Sequence, residues 1–100
     1  MLPVDDPGHP LFTMAQVTES LGVRAPVLRR WERAGLVRPQ RTAGGQRRYS
    51  RREIERLRHV AQLVGEGLTT GGIRRVLDLE RRIGELEDRL ADRDGTDPAG

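Results

Sequence analysis

GVRAPVLRRWERAGLVRPQRTAGGQRRYS, residues Gly22 to Ser50, is the stretch whose reading decides how the rest of the chain is understood. It carries eight arginines, with Arg51 and Arg52 just past its end, against a single acid, Glu32. In its first part Val27, Leu28 and Trp31 supply an apolar helical face, Leu28 and Trp31 three apart, while Arg29, Arg30 and Arg33 fall elsewhere around the axis. Pro26 is tolerated only in a first turn, so the helix starts at Ala25 or Pro26, and Gly35 ends it. After Gly35 the period changes. Leu36 to Arg41 is extended in character, Thr42-Ala43-Gly44-Gly45 is a turn, and Gln46 to Tyr49 returns. Pro39 has no N–H to give a ladder, which confines the pair to a sheet edge. A helix followed by a basic edge hairpin holds cations in fixed geometry, and the charge density points to nucleic-acid phosphate.

Upstream, Thr13-x-x-Gln16 is a capping box that opens a first helix, with Met14, Val17 and Leu21 on one face and Gly22 at its C-terminal end. Only Val23 to Ala25 separate it from the second helix. Two short helices joined by so tight a turn make a helix-turn-helix, and the hairpin behind them is a wing. Downstream, Ser50-x-x-Glu53 is a second capping box. The helix it opens runs to about Val64, with Ile54, Leu57, Ala61 and Val64 predicted to form its buried face and His59 at or near the surface. Gly65 and Gly67 stop it, and Thr69 caps a fourth helix that Gly71 and Gly72 soften at its start.

From Val76 the pattern tightens to Val76, Leu79, Ile83, Leu86 and Leu90, an a/d seam over two heptads, flanked by Arg81–Glu85 and Glu85–Arg89 pairs. A seam about 21 Å long is marginal by itself in water, so it is expected to bind a second copy of the chain. The fold class is therefore mainly α: a winged helix-turn-helix with a small two-stranded wing and a C-terminal coiled-coil helix. Residues 1–10, rich in proline, read as a flexible lead-in, 11–75 as the DNA-binding domain, 76–93 as the dimerisation helix and 94–100 as a disordered tail.

Charge is divided along the same line. Residues 1–76 hold 14 arginines and 7 acids, and residues 77–100 hold 4 arginines and 8 acids. All 18 basic residues are arginine, the side chain that grips phosphate and guanine edges bidentately. The absence of cysteine excludes disulfides, thiolate metal sites and thiol redox switching. There is no apolar run of membrane length and no signal-peptide pattern, so a cytoplasmic location is expected. Asp5, Asp6 and His9 sit among prolines in a terminal segment and are read as solvated, so no metal and no cofactor is expected. With no nucleophile–base arrangement and no phosphate loop of the right spacing, the chain is not read as an enzyme.

Gly22-Val23, Leu28-Arg29, Glu32, Gly35-Leu36 and Arg48-Tyr49, followed by a capped helix, resemble the N-terminal DNA-binding domain of MerR-family transcription regulators. The resemblance covers about residues 11–90, and the wing Gly44-Gly45-Gln46-Arg47-Arg48-Tyr49-Ser50 is similar to that of the heat-shock-repressor branch. It implies a homodimer joined by an antiparallel coiled coil, bound to an inverted repeat near a promoter. Three features depart from the family pattern. Arg24 and Ala25 stand where a hydroxylic residue is usual, Arg30-Trp31 replaces an aromatic pair, and no effector domain follows the seam, so a protein co-regulator is the expected source of signal.

The residues expected to contact DNA are Arg24, Arg29, Arg30 and Arg33 on the second helix and Arg41, Arg47, Arg48 and Tyr49 on the wing. Within that set, Arg29 has pairing with Glu32 as its alternative. Trp31 reads as a core residue, and Tyr49 divides between packing the wing on the core and donating to phosphate. Arg47 and Arg48 are adjacent on a strand and so face opposite sides. Two other functions stay open: an excisionase-like architectural protein that bends DNA, and an adaptor whose acidic helix recruits a partner.

Overall fold

The structure is a computed structural model that describes residues 6–95. The first five residues of the expected lead-in and residues 96–100 of the expected tail lie outside it. The order of elements is α1 (Met14–Leu21), α2 (Ala25–Arg33), β1 (Gln40–Arg41), β2 (Arg47–Arg48), α3 (Arg51–Gly65) and α4 (Thr70–Gly95). This is the mainly helical, winged helix-turn-helix arrangement with a long C-terminal helix that the periodicities predict.

Local chemistry sets the helix ends. In α1 the Thr13 hydroxyl accepts from the Gln16 N–H at 3.2 Å, and the Thr13 N–H donates to Gln16 Oε1 at 2.9 Å. In α3 the Ser50 hydroxyl and the Glu53 carboxylate do the same at 3.1 and 2.8 Å. Each box satisfies two backbone N–H groups that a helix start would otherwise leave without a partner. The start of α2 has no such cap: Arg24 is its N-cap and offers no side-chain bond, and Pro26 alone pre-sets the first turn. Its far end is firmer. Gly35 adopts φ 78°, a region that costs other residues strain, and this lets Gly35 N–H reach Glu32 O and Leu36 N–H reach Trp31 O, both at 3.0 Å.

The core is one cluster: Val17 from α1, Leu28 and Trp31 from α2, Leu36 and Val37 behind it, Tyr49 from the base of the wing, Ile54, Leu57, Val60 and Leu63 from α3, and Ile73 from α4. α1 packs on α2 and α3, and α4 packs on α3. The buried face of α3 differs from the predicted one. Val60 and Leu63 are buried, Ala61 is at the margin, and Val64 is 44% exposed. Positions 60, 61, 63 and 64 are all apolar, so the sequence allows either face, and packing against α1 and α4 selects the one that includes Val60 and Leu63.

Pro7 and Phe12, before α1, bond to the body. Pro7 O accepts from the Arg52 N–H at 3.0 Å, satisfying a donor in the first turn of α3, and Phe12 forms an isolated antiparallel bridge with Tyr49. The wing is shorter than its extended sequence: only Gln40↔Arg48 and Arg41↔Arg47 pair, with Pro39 left outside the ladder. α4 continues unbroken from Thr70 through the expected boundary at residues 75 and 76. Thr69 caps it, its hydroxyl accepting from the Gly72 N–H at 3.1 Å.

Candidate nucleic-acid interface

The helix α2 offers its arginines because its two apolar anchors fix its rotation. Leu28 is fully buried and Trp31 nearly so, as expected for a core tryptophan. At about 100° per residue, Arg29, Arg30 and Arg33 then lie round the outer side, and all three are exposed, as is Arg24 at the N-cap. None of these four side chains makes an ion pair or hydrogen bond with another described residue. Four guanidiniums therefore stand along one short helix with their donors open, a surface suited to phosphate oxygens and to the O6 and N7 acceptors of guanine.

Glu32 does not pair with Arg29 or Arg33. It lies on the flank of α2 beside Leu28 and turns to the wing, where Oε2 accepts from Arg47 Nε at 2.6 Å and Oε1 from Arg41 Nη2 at 3.2 Å. Arg41 and Arg47 are cross-strand partners and share one face of the ribbon, which is why a single carboxylate reaches both. Arg41 also donates from Nη1 to Gly45 O at 3.0 Å, tying the wing tip into the same knot. The tip itself is closed by Thr42, whose N–H bonds Gln46 O at 2.8 Å and whose hydroxyl accepts from Gln46 N–H.

Arg48 follows Arg47 on the strand, and both line, with Gly45 and Gln46, a shallow depression against Thr13, Met14 and Ala15 at the start of α1. Its Nη1 donates to Arg47 O at 3.0 Å. Arg38, between α2 and the wing, is exposed.

Tyr49 is corrected by the structure. Its ring is fully buried and its hydroxyl is out of reach of any surface ligand, without a hydrogen-bond partner among the described residues. Burial raises its pKa above the ordinary phenol value, with the nearby Glu32 charge adding to this and Arg47 opposing it. Tyr49 packs the wing on the core.

Two arginines that sequence reasoning missed hold the interface in place. Arg56 Nε on α3 donates to Leu36 O at 2.8 Å, and Arg74 Nη2 on α4 donates to Ala34 O at 2.8 Å. Ala34 is the C-cap of α2, where carbonyls are unsatisfied and cations are favoured, and Leu36 lies just past that end. The available signal was general: a helix end followed by glycine needs donors, and Arg56 and Arg74 were among many arginines that fit. His59 Nε2 likewise meets Glu80 Oε1 at 2.8 Å, joining α3 to α4.

Beyond the body, α4 exposes the apolar stripe of Leu79, Ile83, Leu86 and Leu90, each about half accessible. Val76, expected to open this seam, is half-buried against the body's core with Leu77 beside it. Arg81 pairs with both Asp78 and Glu85. The hydrogen bond from Arg81 lowers the Asp78 pKa below the usual carboxylate value. The expected Glu85–Arg89 pair does not form, Glu85 being taken by Arg81. Among the described residues no group of three His, Cys, Asp or Glu could hold a metal ion, and no helix is long and apolar enough to cross a membrane.

Comparison with known proteins bears on this surface. Residues 12–80 match the profile of the MerR HTH family regulatory protein. The chain is 43% identical over 84 residues to a heat shock protein assigned as HspR in Streptomyces coelicolor, covering 83% of this chain and 56% of that protein. It is 34% identical over 68 residues to the HTH-type transcriptional regulator GlnR of Bacillus anthracis, covering 68% and 53%. The chain thus spans about half the length of these two relatives. Among solved structures, HiNmlR, a MerR family regulator lacking the sensor domain, bound to promoter DNA, has a like fold, with a TM-score of 0.64 at 24% identity over 80% of this chain and 67% of that one.

Proposed function

Because the chain belongs to the MerR helix-turn-helix family of regulatory proteins, we propose that it is a cytoplasmic, sequence-specific double-stranded DNA-binding transcription regulator that acts as a homodimer on an inverted-repeat promoter site. One observation carries this reading: Arg24, Arg29, Arg30 and Arg33 stand exposed on α2, with no acid of the described chain neutralising them. α2 is the second helix of a helix-turn-helix, the member that enters the major groove. Arg48 and Arg38 extend the basic surface along the wing toward the phosphate backbone. That the solved relative of like fold sits on promoter DNA agrees with this use of the surface.

The homodimer rests on the exposed stripe Leu79, Ile83, Leu86 and Leu90, whose a/d spacing is that of a coiled-coil seam. Two copies of one reading helix, related by a two-fold axis, call for a palindromic site. Competition binding tests the whole reading. A duplex selected from a random pool should be two-fold symmetric and bind at least about 10³ times tighter than random DNA. Equal affinity for any duplex would instead support an architectural, DNA-bending role.

A further inference from the structure

The geometry points to Glu32 as a specificity-determining positioning residue, one that withholds the two wing arginines Arg41 and Arg47 from DNA while fixing the wing against α2. This rests on the DNA-binding reading proposed above. Three observations support it. First, Arg41 and Arg47 face each other directly across the ribbon, an arrangement of like charges that is unfavourable unless an anion lies between them. Second, Glu32 is that anion, and each of its oxygens is committed to one of them, at 3.2 and 2.6 Å. Third, the shorter of the two contacts is sheltered: the Glu32 and Arg47 side chains are only 20% and 25% exposed, so water and salt screen it less than a surface pair, while Arg41 is 48% exposed and is held more loosely.

The consequence concerns what kind of affinity the surface has. Every cation that reaches phosphate adds attraction for any duplex, whatever its sequence. In the stretch from Gly22 to Ser50 Glu32 is the only acid, and although it stands between Arg30 and Arg33 in the chain its carboxylate bonds to the wing. It removes two wing cations from the non-specific attraction and uses them to set the angle between the wing and the reading helix. The wing's phosphate contact then falls to Arg48 and Arg38, and discrimination falls to the open face of α2.

Four proteins test this: the full chain, Glu32→Gln, Arg47→Gln and the double variant, each titrated with the selected operator and with a random duplex over a range of salt. Glu32→Gln should bind random DNA several-fold tighter, steepen the salt dependence by up to about 0.9 for each cation released, and lower the operator-to-random ratio. Arg47→Gln by itself should leave the salt dependence unchanged, whereas in the Glu32→Gln background it should reverse part of the increase. A purely structural role for Glu32 would lower the melting temperature without steepening the salt dependence, and that result overturns the assignment. So does a flatter salt dependence in Arg47→Gln alone, which would make Arg47 a phosphate contact in its own right. Should Glu32→Gln fold poorly, Arg41→Gln, at an exposed position, replaces it and should likewise leave the salt dependence of the otherwise unchanged chain as it was. Loss of all duplex binding by the unsubstituted chain would overturn the DNA reading as well, an outcome distinct from normal binding with an unchanged Glu32→Gln.

Discussion

Tyr49 and Phe12 exchange backbone hydrogen bonds, Tyr49 N–H donating to Phe12 O at 2.7 Å and Phe12 N–H to Tyr49 O at 2.9 Å. The bridge stitches the end of the wing to the residues before α1, and the Tyr49 ring turns inward, where its hydroxyl has no partner among the described residues. A buried hydroxyl without a hydrogen bond is destabilising. Tyr49→Phe, which keeps the ring, should therefore raise stability by about 1 kcal/mol in denaturant titration and leave operator affinity unchanged. The pH dependence follows in sign. The folded-state pKa lies above the ordinary value of 10.0, so the folded chain keeps its phenol proton where the unfolded chain gives it up. Stability is full below that value and falls as pH rises above it, and Tyr49→Phe should lack this part of the alkaline loss. A drop in DNA affinity would return Tyr49 to the interface.

Arg30 and Arg33 have neither an ionic partner nor a packing role in the described chain. Their joint replacement by alanine should change the unfolding free energy by no more than about 0.5 kcal/mol, as for surface sites without special features. Operator affinity should fall at least about fivefold, the lower end of what one lost bidentate base contact costs. Retention of full specific binding in a fluorescence titration would place the reading face elsewhere.

Both capping boxes, the Gly22 and Gly35 helix ends, the Pro26 start and the long C-terminal helix were legible in the sequence, because each depends on residues within a turn of one another. What was not legible depends on distance. Pattern alone offers Glu32 a partner in Arg29, its neighbour on the helix, but its partners are 9 and 15 residues away and meet it only once the hairpin has folded back. The face of α3 failed for a related reason: with apolar residues on both candidate sides, only the positions of α1 and α4 decide. Arg74, 40 residues from Ala34, reaches the end of α2 because α4 packs where it does, which no local pattern encodes.

Gly71 and Gly72 open α4 side by side, yet they are not equivalent. A Cβ at Gly71 meets nothing within 4 Å, whereas one at Gly72 lies 3.3 Å from the Thr69 hydroxyl oxygen that caps the helix. Gly71→Ala should gain most of the roughly 1 kcal/mol by which alanine exceeds glycine in a helix. Gly72→Ala should gain less or nothing, since the cap must shift to admit it. Thermal unfolding of the two single variants compares them directly, and equal gains would show that the Thr69 cap is not held as tightly as its geometry indicates.

Ile83 and Leu86 are 54% and 55% exposed on a helix that has left the body, and neither belongs to the core cluster. Aspartate at both positions puts charge into the proposed seam, where burial against a second copy would have no cation to offset it. The double variant should sediment as a monomer at concentrations where the unsubstituted chain is a dimer. Its body should remain folded, with the near-ultraviolet signal of buried Trp31 intact, because no core residue has been touched. Binding should then split in a diagnostic way: a single half-site is bound as before, while the preference for the full palindrome collapses, since the second half-site no longer arrives tethered to the first. A dimer that survives both aspartates, with palindrome preference intact, would show that the two copies meet through another surface.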